Sequence, residues 1–199
     1  MTDMQDNPNP LIAPAAGEGR RAFLGFGLCA LALATLPKLR AAPAPAPPGR
    51  VAIEMFSAAG QSTGVVQVAK LVKSDADWRA QLSAPAYQVT REQGTERAYT
   101  GAYASNHDDG LYRCICCDTA LYDSRAKYES GTGWPSFWKP ISATNIVKSP
   151  DTAFGWQRDA ISCKRCDAHL GHVFDDGPPP TGLRYCMNSV ALRFIARAR

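Results

Sequence analysis

The chain has 199 residues, of which 45% are hydrophobic and 20% are charged. This length suits one ordinary domain, or one domain with a tail, and the composition excludes a collagen-like, a wholly disordered or a multi-span membrane protein. The formal net charge of +4 is too small to indicate nucleic-acid binding by itself. The seven cysteines are numerous for this length, and their odd number requires an explanation.

The first 46 residues have the pattern of an export signal. Arg20 and Arg21 precede an uncharged run over 22–36, which at 15 residues is shorter than the ~20 that a spanning helix needs. Small residues and prolines follow and offer cleavage sites over 42–46. The paired arginines predict a twin-arginine (Tat) type signal peptide over 1–46 and a periplasmic or otherwise exported protein. An uncleaved membrane anchor is the alternative, and the shortness of the run disfavours it.

Cleavage near residue 46 would leave about 153 residues, a net charge of +3 and six cysteines, because Cys29 leaves with the signal. We expect residues 47–69 to form a linker or a variable N-terminal segment, and residues 70–196 to form the folded domain. After cleavage we expect no stable membrane anchor. The small net charge and the export signal together predict no nucleic-acid partner.

Taken in chain order, the remaining sequence predicts one helix followed by short strands. Ser74 and Asp77 form a capping box for a helix over 70–81, and Pro85 is expected to stop it. From residue 87 onward, turn residues recur every eight to twelve positions, which is typical of antiparallel β structure. The predicted strands are Leu111–Cys116, Thr144–Lys148, Phe154–Arg158, Leu170–Phe174 and Leu183–Phe194.

Four cysteines form two C-x-x-C pairs, Cys114 with Cys117 and Cys163 with Cys166. Two such pairs let four thiolates meet one ion tetrahedrally, which predicts a closed, structural zinc site with no open position for catalysis. Disulfides are the alternative in an exported protein, although a two-residue gap makes a strained local bridge, and iron would accept the same ligands. The first pair can also be drawn as Cys114 with Cys116. Because C-x-x-C is the commoner ligand spacing, we treat Cys116 as a spare thiol.

The sixth cysteine, Cys186, lies in the segment GLRYCMNSVALRF. On a strand, Arg184, Cys186 and Asn188 share one face, and a cation beside a thiol favours the nucleophilic thiolate. A single cysteine on an apolar strand is more often a packing residue, but the polar flanks of this one favour a reactive thiol. The same face is expected to continue into the core with Val190, Leu192 and Phe194.

Two of the three histidines, His169 and His172, come shortly before this strand. On a regular strand they would face opposite sides, but Gly171 between them predicts a bulge that would rotate one of them back. The alternative is a pair of ordinary surface or capping histidines.

An aromatic cluster, SGTGWPSFW, occupies residues 130–138. Gly131 and Gly133 permit a tight turn. The alternatives for the cluster are a binding surface and a hydrophobic corner of the core. Its aromatic members are Trp134, Phe137 and Trp138.

Together, these segments resemble the B-type methionine-R-sulfoxide reductases. The matching strings are YQVTREQGTERAYTG (87–101), GLYRCICCDTALYDSRAKYESGTGWPSFW (110–138) and CKRCDAHLGHVFDDGPPPTGLRYCMNSVALRF (163–194). The resemblance covers roughly residues 70–195. It implies a mostly β fold, namely a small domain of two antiparallel sheets with a few short helices and a structural zinc site. It also implies reduction of the R epimer of methionine sulfoxide in oxidised proteins, with a thioredoxin-like thiol donor.

The resemblance further implies a role for individual residues. Cys186 matches the nucleophile that becomes a sulfenic acid, and Arg184 and Asn188 match positions that tune the thiolate and hold the substrate. Trp134 matches the aromatic residue that packs on the S-methyl group, and we expect Phe137 to contact the substrate beside it. The positions that bind or protonate the sulfoxide oxygen are matched by His169, His172 and Asp176. The zinc ligands are matched by Cys114, Cys117, Cys163 and Cys166.

The sequence departs from the family at one position. Many members have the segment S-G-C-G-W-P-S-F, whose cysteine resolves the sulfenic acid as a disulfide, whereas this chain has Thr132 there. Cys116 is the only other cysteine of the mature segment that is neither ligand nor nucleophile, and its place beside the zinc pair makes it a poor candidate. We therefore expect an external thioredoxin-like thiol to reduce Cys186 directly.

Two other functions compete with this interpretation. A zinc-stabilised binding module without chemistry would not need Arg184, Cys186 and Asn188 on one strand face near histidines. A thiol-disulfide exchanger would need a redox C-x-x-C on a βαβ pattern, which the sequence does not have.

Overall fold

The computed structural model describes residues 49–152 and 158–198, and these residues form three antiparallel sheets and two α-helices. The mostly β prediction is therefore confirmed. The proposed signal peptide lies outside the described residues. Within them, no helix is both long and apolar enough to cross a lipid bilayer.

The first two strands form a hairpin where the sequence predicted a linker over 47–69. Strand β1 (Arg50–Phe56) pairs antiparallel with β2 (Ser62–Ala69) and makes the third sheet, one more than expected. The Asn145 side chain anchors it, accepting from the Glu54 N–H at 2.8 Å and donating to the Glu54 carbonyl at 2.9 Å. Nearly every residue of β2 is exposed, so the hairpin lacks the alternation of apolar and polar residues that would reveal it.

The helical region contains two helices, α1 (Asp75–Gln81) and α2 (Ala84–Glu92), instead of one. Ser74 is confirmed as the N-cap, because its hydroxyl accepts from the Asp77 N–H at 3.2 Å, and the Asp77 carboxylate in turn accepts from that hydroxyl at 2.7 Å. Pro85 lies in the first turn of α2, where its missing N–H is harmless, so it does not mark a stop followed by a loop.

The larger sheets provide the frame of the domain. The six-stranded sheet has the order β5-β6-β10-β9-β8-β7, and the three-stranded sheet has the order β11-β3-β4. The strands are β3 (Gly110–Cys114), β4 (Ala120–Asp123), β5 (Lys127–Tyr128), β6 (Ser136–Phe137), β7 (Ile146–Asp151), β8 (Arg158–Cys163), β9 (His169–Phe174), β10 (Arg184–Met187) and β11 (Leu192–Ala196).

Most predicted strands are present with shifted ends, but one prediction is wrong. The strand expected over Leu183–Phe194 is two strands, β10 and β11, which belong to different sheets and are separated by a 3-10 turn over Ser189–Ala191. Consequently the face of Cys186 does not continue through the residues that follow Asn188. Of the strand expected over Phe154–Arg158, residues 154–157 lie outside the described part of the chain, and Arg158 begins β8.

Aromatic side chains fill the space between the two larger sheets. Tyr112 and Tyr122 come from the three-stranded sheet, Phe137 comes from the six-stranded sheet, and all three are 0% exposed. The Phe137 ring stacks on Tyr122 at 4.4 Å and meets Tyr112 edge-on at 5.1 Å, measured between ring centroids. Such aromatic pairs add about 0.5–1.5 kcal/mol each beyond their area burial. Phe137 therefore joins the sheets, and its contact with substrate stays a prediction.

Candidate active site and metal site

The candidate active site is a cavity of about 260 Å³ over strands β9 and β10. In the register of the sheet, Cys186 lies between His172 on one side and Ser136 on the other. The predicted site residues that line the cavity are Trp134, His172, Arg184, Cys186 and Asn188, and the others are Thr95, Thr132, Arg158, Gly171, Phe174 and Met187.

Cys186 is half-buried and its sulfur lies 3.9 Å from the Thr132 hydroxyl. Burial raises the pKa of the Cys186 thiol, while Arg184 and the hydroxyls of Thr132 and Ser136 act in the opposite direction. The sequence predicted the effect of Arg184 correctly, but desolvation outweighs it. The thiol therefore keeps its proton at neutral pH before substrate binds.

Arg184 is held in place by two neighbours. Its guanidinium donates to both oxygens of Asp176 at 2.8 Å and lies over the Phe174 ring at 4.3 Å. The ion pair lowers the pKa of Asp176 and raises that of Arg184, so both stay charged at neutral pH. Asp176 was expected at the sulfoxide oxygen, but it does not line the cavity and contacts Arg184 instead.

The bulge predicted at Gly171 is confirmed. The β8–β9 register passes from Ile161 opposite Gly171 to Ser162 opposite His169, which leaves Leu170 as the extra residue. The rings of His169 and His172 consequently meet edge-on, with their centroids 5.1 Å apart.

The glycine itself is required by the neighbouring strand. A Cβ atom at Gly171 would lie 2.1 Å from the carbonyl oxygen of Cys186, so only glycine allows β9 to approach the nucleophile this closely.

The two histidines differ in their surroundings. His169 is 4% exposed, its Nε2 atom has no hydrogen-bond partner among the described residues, and burial lowers its pKa to about 4. His172 reaches the cavity, and its Nε2 atom lies 2.9 Å from a carboxylate oxygen of Asp151. Burial also lowers the pKa of His172, although Asp151 opposes the change, so both rings are neutral at neutral pH. His107, the third histidine, has an exposed side chain near Glu129.

Trp134 and Asn188 share an anchor that the sequence did not reveal. The Trp134 indole donates to the Glu96 carbonyl at 3.0 Å, and the Asn188 side chain accepts from the Glu96 N–H at 2.9 Å. The Glu96 carboxylate accepts from the N–H groups of Ser189 at 2.7 Å and Val190 at 3.0 Å. Glu96 thus fixes two cavity residues and caps the turn that ends β10. Glu96 lies within residues 87–101, which resemble the reductase family, but the sequence did not indicate its role.

The predicted metal ligands come together as a cluster. The ligand atoms of Cys114, Cys117, Cys163 and Cys166 all lie within 4.8 Å of one another. Sulfur atoms are 3.6 Å apart in Cys114 and Cys166 and 3.5 Å apart in Cys117 and Cys163. A tetrahedral ion with Zn–S bonds of about 2.3 Å places its ligands at comparable separations, whereas a disulfide needs about 2.05 Å. All six described cysteines are free, so the donor set fits a structural metal ion.

The two C-x-x-C segments have the same backbone hydrogen bonds. The Cys114 N–H donates to the Thr119 carbonyl at 2.8 Å, and the Cys114 carbonyl accepts from the Asp118 N–H at 2.9 Å. In the second segment Cys163 has the equivalent bonds with Ala168 and Asp167, both at 2.9 Å. Asp118 and Asp167 both adopt the left-handed conformation, with φ of 62° and 56°. This repeated turn presents two sulfurs from each segment to a common point.

Comparison with known proteins agrees with this geometry. A family model described as the SelR domain matches residues 82–196, which is more than half of the chain. The chain belongs to the SelR family. Two relatives are named peptide methionine sulfoxide reductase MsrB. That of Pseudomonas entomophila (strain L48) is 55% identical over 123 residues, which cover 62% of this chain and 94% of the relative. That of Herminiimonas arsenicoxydans is 51% identical over 127 residues, which cover 64% and 93%.

Within this SelR domain, the two cysteines outside the metal cluster have different surroundings. Cys186 lines the cavity and contacts Thr132, the residue at the usual resolving position. Cys116 is 4% exposed and contacts Thr90 and the cluster cysteines Cys114 and Cys166. The structure therefore associates Cys116 with the metal site.

Proposed function

We propose that this SelR domain is a peptide-methionine (R)-S-oxide reductase. The observation that carries the proposal is the placement of a free cysteine, Cys186, on a cavity lined by an aromatic ring, a histidine and a fixed guanidinium. The family and the names of its relatives support the same reaction. A non-catalytic binding module would have no use for this arrangement.

The cavity residues suit the two ends of a sulfoxide. The Trp134 ring offers an apolar face for the S-methyl group, and sulfur groups pack well on aromatic rings. The sulfoxide oxygen is a hydrogen-bond acceptor whose proton must come from a group within reach, and His172 is the histidine that lines the cavity.

The reaction balances without an added oxidant or reductant in its first step. The Cys186 sulfur attacks the sulfoxide sulfur and forms an S–S bond. The oxygen then transfers to the cysteine sulfur as its bond to the methionine sulfur breaks, and the S–S bond breaks with its electron pair going to methionine. The cysteine sulfur is oxidised by two electrons to a sulfenic acid, and the thiol proton ends on its oxygen. Because the thiol starts protonated, no proton needs to be taken from solvent.

An external thiol would then regenerate Cys186. The Thr132 hydroxyl beside the nucleophile cannot form a disulfide, and Cys116 is buried beside the metal cluster. A thiol of a thioredoxin-like donor attacks the sulfenic sulfur, which releases water and forms a mixed disulfide, and the donor's second thiol displaces Cys186. Replacement Cys116→Ser should therefore leave turnover intact, and a collapse of turnover with metal still bound would make Cys116 the resolving thiol.

The four-cysteine cluster would hold one Zn²⁺ ion, with iron as the alternative. With four thiolates it has no open position for substrate, so the ion supplies only structural cross-linking. Elemental analysis of the purified protein distinguishes the two metals, and one zinc per chain is the expected result.

We also propose that the protein is exported by the twin-arginine route to the periplasm. The paired arginines and the short apolar run after them support this. A reporter fused behind residues 1–50 should appear outside the cytoplasm, and the double replacement of Arg20 and Arg21 by lysine should retain it inside. Export that is indifferent to the double replacement would overturn the twin-arginine route.

The reductase proposal is tested with the separate R and S epimers of methionine sulfoxide in a peptide. The wild type should reduce the R epimer, and Cys186→Ser should lose this activity while keeping its metal. Equal activity in the variant, or reduction of the S epimer alone, would overturn the proposal.

A further inference from the structure

We infer that Asp151 is a positioning residue for the reductase, which holds the His172 ring by Nε2 so that Nδ1 faces the cavity. This inference rests on the proposed function and adds a residue to its machinery. The carboxylate oxygen Oδ2 of Asp151 lies 2.9 Å from His172 Nε2. The His172 side chain is 10% exposed and that of Asp151 is 22% exposed, so the contact is largely shielded from water.

Three adjacent strands of the six-stranded sheet contribute the groups around this contact. Asp151 ends β7, Arg158 begins β8 opposite it, and His172 lies on β9. The Arg158 guanidinium donates through Nε to the same Asp151 oxygen at 2.9 Å. The carboxylate is thereby fixed in one orientation before it contacts the ring, and Arg158 itself lines the cavity.

The contact determines which ring nitrogen can act on substrate. In the neutral ring, an Nε2–H donated to the carboxylate leaves Nδ1 as the unprotonated atom. Cys186 lies directly opposite His172 on the neighbouring strand. Nδ1 can take the thiol proton as the sulfur attacks and return it to the departing sulfoxide oxygen. Asp151 stabilises the ring while it carries the positive charge, as the third group of a nucleophile–base–orienter array does.

The groups around His172 shift its pKa in opposite directions. It faces Asp151 from β7, Arg158 from β8, His169 on its own strand, and Cys186 with Arg184 on β10. Burial and Arg158 lower the pKa of His172, whereas Asp151 raises it. Removing the carboxylate should therefore lower this pKa further, and removing the guanidinium should raise it. A purely structural role for Asp151 would not produce opposite shifts.

The experiment combines ring titration with a single-turnover rate. Nitrogen-15 NMR of the full chain, with His172 assigned from a His172→Asn sample, should show the Nε2–H tautomer in the wild type. In Asp151→Asn the ring should titrate at lower pH, and in Arg158→Met it should titrate at higher pH. The rate of methionine formation should fall about 10- to 100-fold in Asp151→Asn, part of the 10²–10⁴-fold that acid–base catalysis supplies. Asp151→Glu should recover part of it.

The matched control is Asp159→Asn, which removes an ion-paired carboxylate from the same sheet, 2.7 Å from Lys148. It should leave the pKa of the His172 ring unchanged and the rate of methionine formation within about twofold of the wild-type rate. An unchanged His172 tautomer and pKa in Asp151→Asn would overturn the inference. This NMR measurement needs no substrate, so its outcome does not depend on the proposed function. A wild type that titrates as expected but reduces no sulfoxide would instead contradict the proposed function. Should Asp151→Asn not fold, the Arg158→Met titration decides alone, and an unshifted or downward-shifted ring overturns the inference.

Discussion

At the residue scale, the nucleophile is controlled by opposing effects of burial and charge. Burial raises the pKa of Cys186, and Arg184 lowers it. Asp176 and the Phe174 ring hold Arg184 in this position. The reactivity of the free thiol therefore depends on a guanidinium that is itself fixed by a partner outside the cavity.

Replacement Arg184→Met should raise the pKa of the Cys186 thiol, because it removes a nearby cation that lowers it. The rate of alkylation of Cys186, followed against pH, should have its midpoint at higher pH than in the wild type. The control Arg193→Met removes an exposed arginine that pairs with Asp118, and it should leave the midpoint unchanged. Equal midpoints in Arg184→Met and wild type would contradict the assigned role.

Replacement Thr132→Cys should install a resolving thiol beside the nucleophile. The Thr132 hydroxyl is 3.9 Å from the Cys186 sulfur, so a small movement brings two sulfurs to bonding distance. After reaction with one equivalent of substrate, Thr132→Cys should have lost two free thiols, whereas Thr132→Ser should have lost only the Cys186 thiol. Two thiols lost in Thr132→Ser would show that another cysteine already resolves the sulfenic acid.

Residues next to each other in a motif were predicted well, and residues contributed from distant segments were not. Arg184, Cys186 and His172 follow from the segment around the nucleophile. Glu96 forms hydrogen bonds with residues that lie 92 to 94 positions further along the chain, and no local sequence pattern predicts such a contact. Asp176 was expected at the sulfoxide oxygen, and only the structure shows that it pairs with Arg184.

At the scale of elements, the end of β10 shapes the site. The strand stops at Met187, and a turn capped by the Glu96 carboxylate redirects the chain into the other sheet. The apolar residues of Leu183–Phe194 read as one strand because alternation along the sequence cannot show a change of sheet. Local capping signals, by contrast, were reliable, since Ser74 caps α1 as its spacing indicated.

Replacement Glu96→Gln should destabilise the protein and weaken substrate binding. A neutral amide accepts the N–H groups of Ser189 and Val190 less strongly, and the free energy of unfolding should fall by about 1–3 kcal/mol. KM should rise, because the carboxylate holds the Glu96 backbone in place and that backbone bonds to Trp134 and Asn188. Denaturant unfolding and steady-state kinetics measure the two effects. The control Glu92→Gln breaks an exposed ion pair with Arg79 and should change neither; an equal effect in both variants would contradict the anchor role.

At the scale of the whole molecule, the metal cluster and the aromatic core join the two larger sheets. Cys114 ends a strand of the three-stranded sheet and Cys163 ends a strand of the six-stranded sheet. The ligand pattern could be predicted because each pair is local in sequence. The additional hairpin sheet could not, because its exposed strand carries no amphipathic pattern.

Replacement Cys166→Ser should release the metal and lower the free energy of unfolding by more than about 4 kcal/mol. Activity should be lost in proportion to unfolding, since the cluster does not line the cavity. The matched control is Cys116→Ser, a buried cysteine beside the cluster, which should retain the metal. Metal loss in Cys116→Ser equal to that in Cys166→Ser would contradict the assigned ligand set.

The central claim, that Cys186 takes the oxygen from the R epimer of methionine sulfoxide, is tested most directly by one turnover without reductant. Mass spectrometry of the protein after the reaction should show one added oxygen atom on Cys186, with one methionine formed per chain and no disulfide. An unmodified Cys186 after methionine has formed, or oxygen added to another cysteine, would contradict the account.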